Sequence, residues 1–194
     1  ETSYEKASEI SGEQFAQKHL VRKMACTGCP VGCIHIGQIR REFDKGHEYE
    51  KRDVCYDYEL IFALGSYLGI DNTQDVLEVI DDVERAGLDA MSAGVCLGWA
   101  TEAFSNGLVT EEDTYIPLKF GDAAMYKRAI WFLSERKNKF WSALANGCDY
   151  ASDIYGGKDF AMAIAKNETP GYHTGYGSLI GAAAGARHSH LCNG

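Results

Sequence analysis

The sequence predicts a mainly α fold: a multi-helix domain with a short β-hairpin after a Cys-rich loop. Three observations predict it. From residue 57 to Gly156, apolar residues recur at helical spacing. Gly, Asp, Asn and Thr punctuate that stretch where helices start and stop. Two-residue alternation is confined to residues 34–54, on either side of the turn sequence DKG.

Each element follows in order. Residues 11–24 read as a helix, with Ser11 as its cap, Gln14 as the capping-box partner, and Phe15, His19, Leu20 and Met24 on its inner face. The segment ACTGCPVGC after it is too rich in Gly, Pro and Cys to be helical. IHIGQIRREF and HEYEKRDV form the two arms of the hairpin. YELIFALGSYLG is apolar nearly all round and reads as a buried helix. Residues 73–86 are amphipathic. Val76, Val79, Ile80 and Val83 line one side, Glu78, Asp81, Asp82 and Arg85 the other, and Gly87 closes the helix. Residues 89–106 make a further helix, in which Ala93, Gly94, Gly98 and Ala100 permit close helix–helix approach, and Gly107 ends it. Thr110 caps a short turn at EED, and helices over 122–136 and 139–151 complete the set. Beyond Gly156 the chain turns rich in Gly, Ala and His and poor in charge.

The chain has 194 residues, 45% of them hydrophobic and 24% charged, which excludes wholesale disorder. No apolar run approaches the roughly 18 residues that a spanning helix needs. No basic segment followed by an apolar stretch opens the chain, so a cytoplasmic location is expected. The net charge is −9, and all of the excess lies in residues 56–194. An acidic body without a basic stripe argues against nucleic acid and against an anionic membrane surface.

Four groups of residues bear chemistry. Cys26, Cys29 and Cys33 put three of the seven cysteines within eight residues. Thiolates so spaced converge on one inorganic centre, either an iron–sulfur cluster or, with His35, a zinc ion. The second group is Glu84-Arg85-Ala86-Gly87-Leu88-Asp89. It reads as a helix C-cap followed by an N-cap, or as a junction offering N–H groups and a carboxylate to a phosphate-bearing heterocycle. The third, Glu59, opens an apolar helix, either on its surface or buried for use. The fourth, Arg187-His188-Ser189-His190, can bind metal, handle protons or lie on the surface. Cys55, Cys96 and Cys148 are scattered, as single core cysteines usually are.

Taken in this order, LVRKMACTGCPVGC, YELIFALGSYLGIDN, GLDAMSAGVCLGWATEAFSNGLVT, the FGD helix start and GARHSHL resemble the tungsten-containing aldehyde ferredoxin oxidoreductase family. The resemblance runs from about residue 11 to the end. It implies that residues 1–165 form the family's helical middle domain and 166–194 the opening of the next helical domain. The N-terminal pterin-binding β-domain is then absent from this sequence. It further implies that Cys26, Cys29 and Cys33 are three ligands of a [4Fe–4S] cluster whose fourth cysteine lies beyond Gly194. Glu84, Gly87, Leu88 and Asp89 occupy the D-x-x-G-L-D pterin motif, with Glu84 where the family has Asp. Glu59 and His190 take the catalytic positions near the metal, His188 being the alternative to His190.

The implied activity is aldehyde oxidation to the carboxylic acid. The implied cofactors are a bis-pyranopterin tungsten or molybdenum centre, the cluster and Mg²⁺. The implied partners are ferredoxin or an electron-transfer subunit, the rest of the enzyme and a small aldehyde; a homo-oligomer is compatible with these. Alone, the chain is expected to be inactive. The competing reading is a small helical iron–sulfur or zinc module for electron transfer or subunit interaction, without catalysis of its own.

Overall fold

The computed structural model describes residues 4–44, 46, 48–172 and 175–186. The chain opens with α1 (Tyr4–Ser8) and α2 (Gly12–Lys18). Ser11 caps α2 as its sequence indicates, its Oγ accepting from the Gln14 N–H. The helix expected over 11–24 stops at Lys18, however, and Leu20–Met24 is strand β1. β1 pairs antiparallel with β2 (Ile34–Asp44), which in turn pairs with β3 (Glu48–Tyr56). The cross-strand ladder replaces the helical hydrogen bonds, and the His19 ring marks the switch. Its Nδ1 lies 3.2 Å from the Gln38 carbonyl and its Nε2 2.9 Å from Thr73 Oγ1. Of the four residues assigned to the inner helical face, Phe15 is buried whereas Met24 is exposed. The hairpin over 34–54 is present and becomes part of a three-stranded sheet of order β1-β2-β3.

The sheet turns Gly37, Ile39, Val54 and Tyr56 inward, toward the helices. α3 (Tyr58–Leu64), capped by Asp57, leads through a 3₁₀ turn to α4 (Thr73–Arg85), capped by Asn72. The apolar side of α4 is buried as its amphipathicity predicts. Asp81 and Asp82, expected on the outer side, are buried as well. The sheet packs over them, and Arg41 of β2 binds both carboxylates at 2.9–3.1 Å. Ion pairing, with a guanidinium fork matched to Asp82, is what permits charge at that depth.

α5 (Ala90–Ser105) is the central element, buried over most of its length. Its small residues act as expected. A Cβ at Gly94 would overlap the Ala63 carbonyl of α3, and one at Gly98 would overlap the Tyr67 ring. α6 (Glu111–Thr114), α7 (Ala123–Ser134), α8 (Lys139–Leu144) and α9 (Cys148–Tyr155) surround it. The single helix expected over 139–151 is therefore two, broken at Gly147, whose φ of +103° no right-handed helix accommodates. A tight hairpin of β4 (Ala163–Ile164) and β5 (Asn167–Glu168) follows, then α10 (Tyr176–Ala184). α10 is apolar yet contains no buried residue. Among the described residues, no helix is long and apolar enough to cross a membrane.

Candidate cofactor and active site

The Cys loop connects β1 to β2 on one edge of the sheet. The Cys29 N–H donates to the Cys26 carbonyl, and Gly28 and Gly32 take φ values of +77° and +63° that permit two reversals in a short span. Cys26 and Cys33 are exposed and Cys29 half-buried. The thiols thus share one short loop, but among the described residues no three His, Cys, Asp or Glu side chains are gathered at metal-binding distance. His35, the fourth donor of the zinc alternative, stacks on Tyr56 with ring centroids 5.3 Å apart. Cys55, on β3 opposite Ile36, joins this neighbourhood. Burial first, then the charges of Asp57, Glu84 and Cys26, push its thiol upward. Its isolation in sequence concealed that proximity.

The Gly87-Leu88-Asp89 junction lines a cavity of about 490 Å³ between α4, α5, α7 and the β4–β5 hairpin. That volume is within the range of small-molecule sites. Locally the junction is also a cap. Gly87 has φ +70°, Leu88 N–H returns to the Val83 carbonyl, and the Asp89 carboxylate caps α5 by accepting from Ser92 N–H at 2.8 Å. Cap geometry and cavity wall are realised together. Glu84, by contrast, is exposed and is not among the residues of the cavity wall. Its charge contributes, after burial and Asp57, to the raised thiol of Cys55 on β3. Across the cavity stand Arg136, Asn146, Gly147, Lys166 and Glu168, none of which a local motif distinguishes.

Cys96 also lines this cavity. Its partner is Cys148: a hydrogen bond between the thiols, then burial, then Glu168 push the Cys96 thiol well up. Glu168 Oε1 accepts from the Cys148 N–H at 3.1 Å. These two cysteines are consequently packed structural thiols facing a capping carboxylate.

Glu59 sits half-buried in the first turn of α3. Its carboxylate accepts a short hydrogen bond from the phenol of Tyr172. Tyr172 stacks on Tyr58 at 5.2 Å, and Tyr58 Oη donates to the Gly171 carbonyl at 3.1 Å. Burial, then the Glu59 hydrogen bond and charge, raise the Tyr172 phenol. Burial followed by the Glu59 charge raises Asp57, against the opposing N–H donors of α3. A hydrogen-bonded carboxylate–phenol pair is thus assembled from the start of α3 and a Gly-flanked segment far along the chain. Tyr172 carries no sequence signal, because the contact is separated by 113 positions. His188 and His190 lie outside the described residues.

A family model described as "Aldehyde ferredoxin oxidoreductase, domains 2 & 3" matches residues 1–190. The tungsten-containing aldehyde ferredoxin oxidoreductase of Thermococcus kodakarensis is 30% identical over 172 residues, covering 87% of this chain and 27% of its own length. The corresponding Pyrococcus furiosus protein is 31% identical with the same coverage. Another P. furiosus protein, "Aliphatic sulfonate oxidoreductase, WOR-like subunit", is 30% identical over 69% of this chain. The chain therefore spans about a quarter of the length of the curated relatives it matches. Among solved structures, the active-site complex BamBC of benzoyl coenzyme A reductase superposes with a TM-score of 0.62 at 20% identity, over 92% of this chain and 26% of that one. That likeness establishes a shared fold.

Proposed function

The chain belongs to the aldehyde ferredoxin oxidoreductase family, and from that premise we propose that it forms the helical part of a tungsten–pterin, iron–sulfur enzyme. In this reading the whole enzyme oxidises a small aldehyde to the carboxylic acid and passes the electrons to ferredoxin or an electron-transfer subunit. The observation that carries it is the placing of Gly87-Leu88-Asp89 on the wall of a ligand-sized cavity, in a chain that also groups three cysteines on one short loop.

When bound, the pterin-held tungsten or molybdenum supplies two-electron redox chemistry and the [4Fe–4S] cluster a one-electron outlet. This chain's residues do the rest. Cys26, Cys29 and Cys33 would hold the cluster as three of its ligands, with the fourth from outside the chain. Leu88 and Asp89, on the cavity wall, would hold the pterin. Glu84 is a poorer fit to that role, being exposed and outside the cavity wall. Aldehyde oxidation adds an oxygen from water and releases protons, which need an acceptor beside the reacting carbon. Two protons leave for each aldehyde oxidised: Glu59, hydrogen-bonded by Tyr172, would accept one and His190 the other.

The test is elemental and spectroscopic, on the full-length enzyme. Tungsten or molybdenum should accompany iron. Cys29→Ala should remove the iron–sulfur absorption, and Cys148→Ala should retain it. Zinc as the sole metal, or the reverse behaviour of the two variants, overturns the reading.

A further inference from the structure

Two buried thiols lie outside the chemistry assigned so far. Cys96 is in the first half of α5, and Cys148 is the first residue of α9. The two residues are 3% and 0% exposed. One carboxylate oxygen binds both of them. Glu168 Oε1 accepts from the Cys96 thiol at 3.6 Å and from the Cys148 N–H at 3.1 Å. The thiols also share a hydrogen bond. The other described cysteines, the three of the 26–33 loop and Cys55, are all at least partly exposed.

Packing accounts for two buried cysteines. It does not account for the side from which they are reached. Cys96 lies on the wall of the 490 Å³ cavity together with Gly147 and Glu168, whereas Cys148 is behind that wall. A reagent little larger than water therefore meets Cys96 first. A larger ligand lodged against the wall shields Cys96, so reaction there precedes ligand binding. A disulfide needs the two Cβ atoms to come within roughly 4 Å. The freedom for that approach lies at Gly147, whose φ of +103° glycine adopts readily. In the resting protein the bond to Cys148, then burial, then Glu168 keep Cys96 a neutral thiol. Its sulfur becomes a nucleophile only when the proton is taken, and Glu168 Oε1 is the acceptor already in contact with it.

We propose that Cys96 and Cys148 are a site of reversible oxidation, which a peroxide closes to a disulfide. Glu168 accepts the Cys96 S–H proton, the sulfur attacks one peroxide oxygen, and the O–O bond breaks. The departing oxygen takes that proton and leaves as water, and Cys96 is then a sulfenic acid. The Cys148 sulfur attacks Cys96, its own proton joins the departing hydroxyl, and a second water leaves. Two thiols are oxidised and one peroxide is reduced. A dithiol reductant reverses the step by thiol–disulfide exchange.

The test is peptide mapping of the 194-residue chain after hydrogen peroxide, with free thiols alkylated and trypsin applied without reduction. The cysteines fall in separate tryptic peptides: Cys96 in 86–119, Cys148 in 140–158, the loop thiols in 24–40 and Cys55 in 53–85. The main link between peptides should join 86–119 to 140–158 and be lost with dithiothreitol. Closing a loop of about 50 residues should raise Tm by about 5–10 °C. In guanidinium the preference for this link should vanish. Cys148→Ser should stop at a Cys96 sulfenic acid, captured by dimedone, with no gain in Tm. Glu168→Gln keeps an oxygen for the Cys148 N–H but loses the base, so the link should form at least about 10-fold more slowly. Cys96 and Cys148 recovered as alkylated thiols from the folded chain, after the loop thiols have reacted, overturn the site. So does a main link from 24–40 to either peptide. Equal rates in Glu168→Gln and the parent overturn the part given to Glu168.

Discussion

Tyr172 gives its phenol hydrogen bond to Glu59, and this pairing changes what each side chain can do. A phenol raised by burial and by the adjacent carboxylate stays protonated throughout the neutral range, so it remains a donor. The carboxylate is held in one orientation instead of sampling solvent. In the full-length enzyme, Glu59→Gln should keep the metals and cost about 10²- to 10⁴-fold in turnover, the usual worth of a positioned acid or base. Tyr172→Phe should cost less, about 10-fold, and should do so in kcat with little change in KM, because it orients a group rather than binding substrate. Steady-state assays with a viologen acceptor check both. A Glu59→Gln enzyme of normal turnover removes Glu59 from the chemistry. The sequence exposes Cys26, Cys29, Cys33 and Gly87 because each belongs to a local pattern of a few residues. It conceals Tyr172 because its contact with Glu59 is made only by folding.

Among the elements, the long helices are legible and the joints are not. α4 and α5 are found near their expected limits because periodicity and caps agree over many residues. The stretch 11–24 has helical spacing too, but Leu20–Met24 gains a ladder from β2, a partner that no local pattern displays. The break at Gly147 is a backbone conformation, which periodicity does not encode. The buried Asp81 and Asp82 likewise depend on Arg41 arriving from the sheet. Where small residues were read as permitting close approach, the packing makes a sharp test. A methyl at Gly94 would meet the Ala63 carbonyl and come within 2.8 Å of its Cβ. Gly94→Ala should therefore destabilise the chain by about 2 kcal/mol, despite the better helix propensity of alanine. That corresponds to a Tm roughly 4–8 °C lower for a chain of this size. Gly12, with nothing within 4 Å of its built Cβ, is the control, and Gly12→Ala should leave Tm unchanged or slightly raised. Equal effects at the two sites would mean that α3 and α5 are not in close contact.

For the molecule as a whole, the decisive fact is the mismatch between a complete core and an incomplete surface. The core around α5 is continuous, so the chain has the apolar burial that an independent fold requires. α10 has none of this. Tyr176, Leu179 and Ile180 are 86%, 61% and 65% exposed on one short apolar helix. A soluble surface rarely leaves such a group uncovered. The relatives are more than three times as long, the chain covering 27% of their length. Alone, the chain should self-associate through this helix, with an apparent mass that rises with concentration in analytical ultracentrifugation. Leu179→Asp together with Ile180→Asp should restore the 21.3 kDa monomer without lowering Tm, because neither side chain is buried. The isolated chain should also fail to oxidise aldehydes with a viologen acceptor, since only three cluster thiols are grouped on its Cys loop and only part of the cofactor's surroundings is present. A parent chain that remains monomeric at every concentration would show that α10 is adequately covered by the residues already here. One that turned over aldehydes would show that a quarter of the relatives' length is a sufficient enzyme.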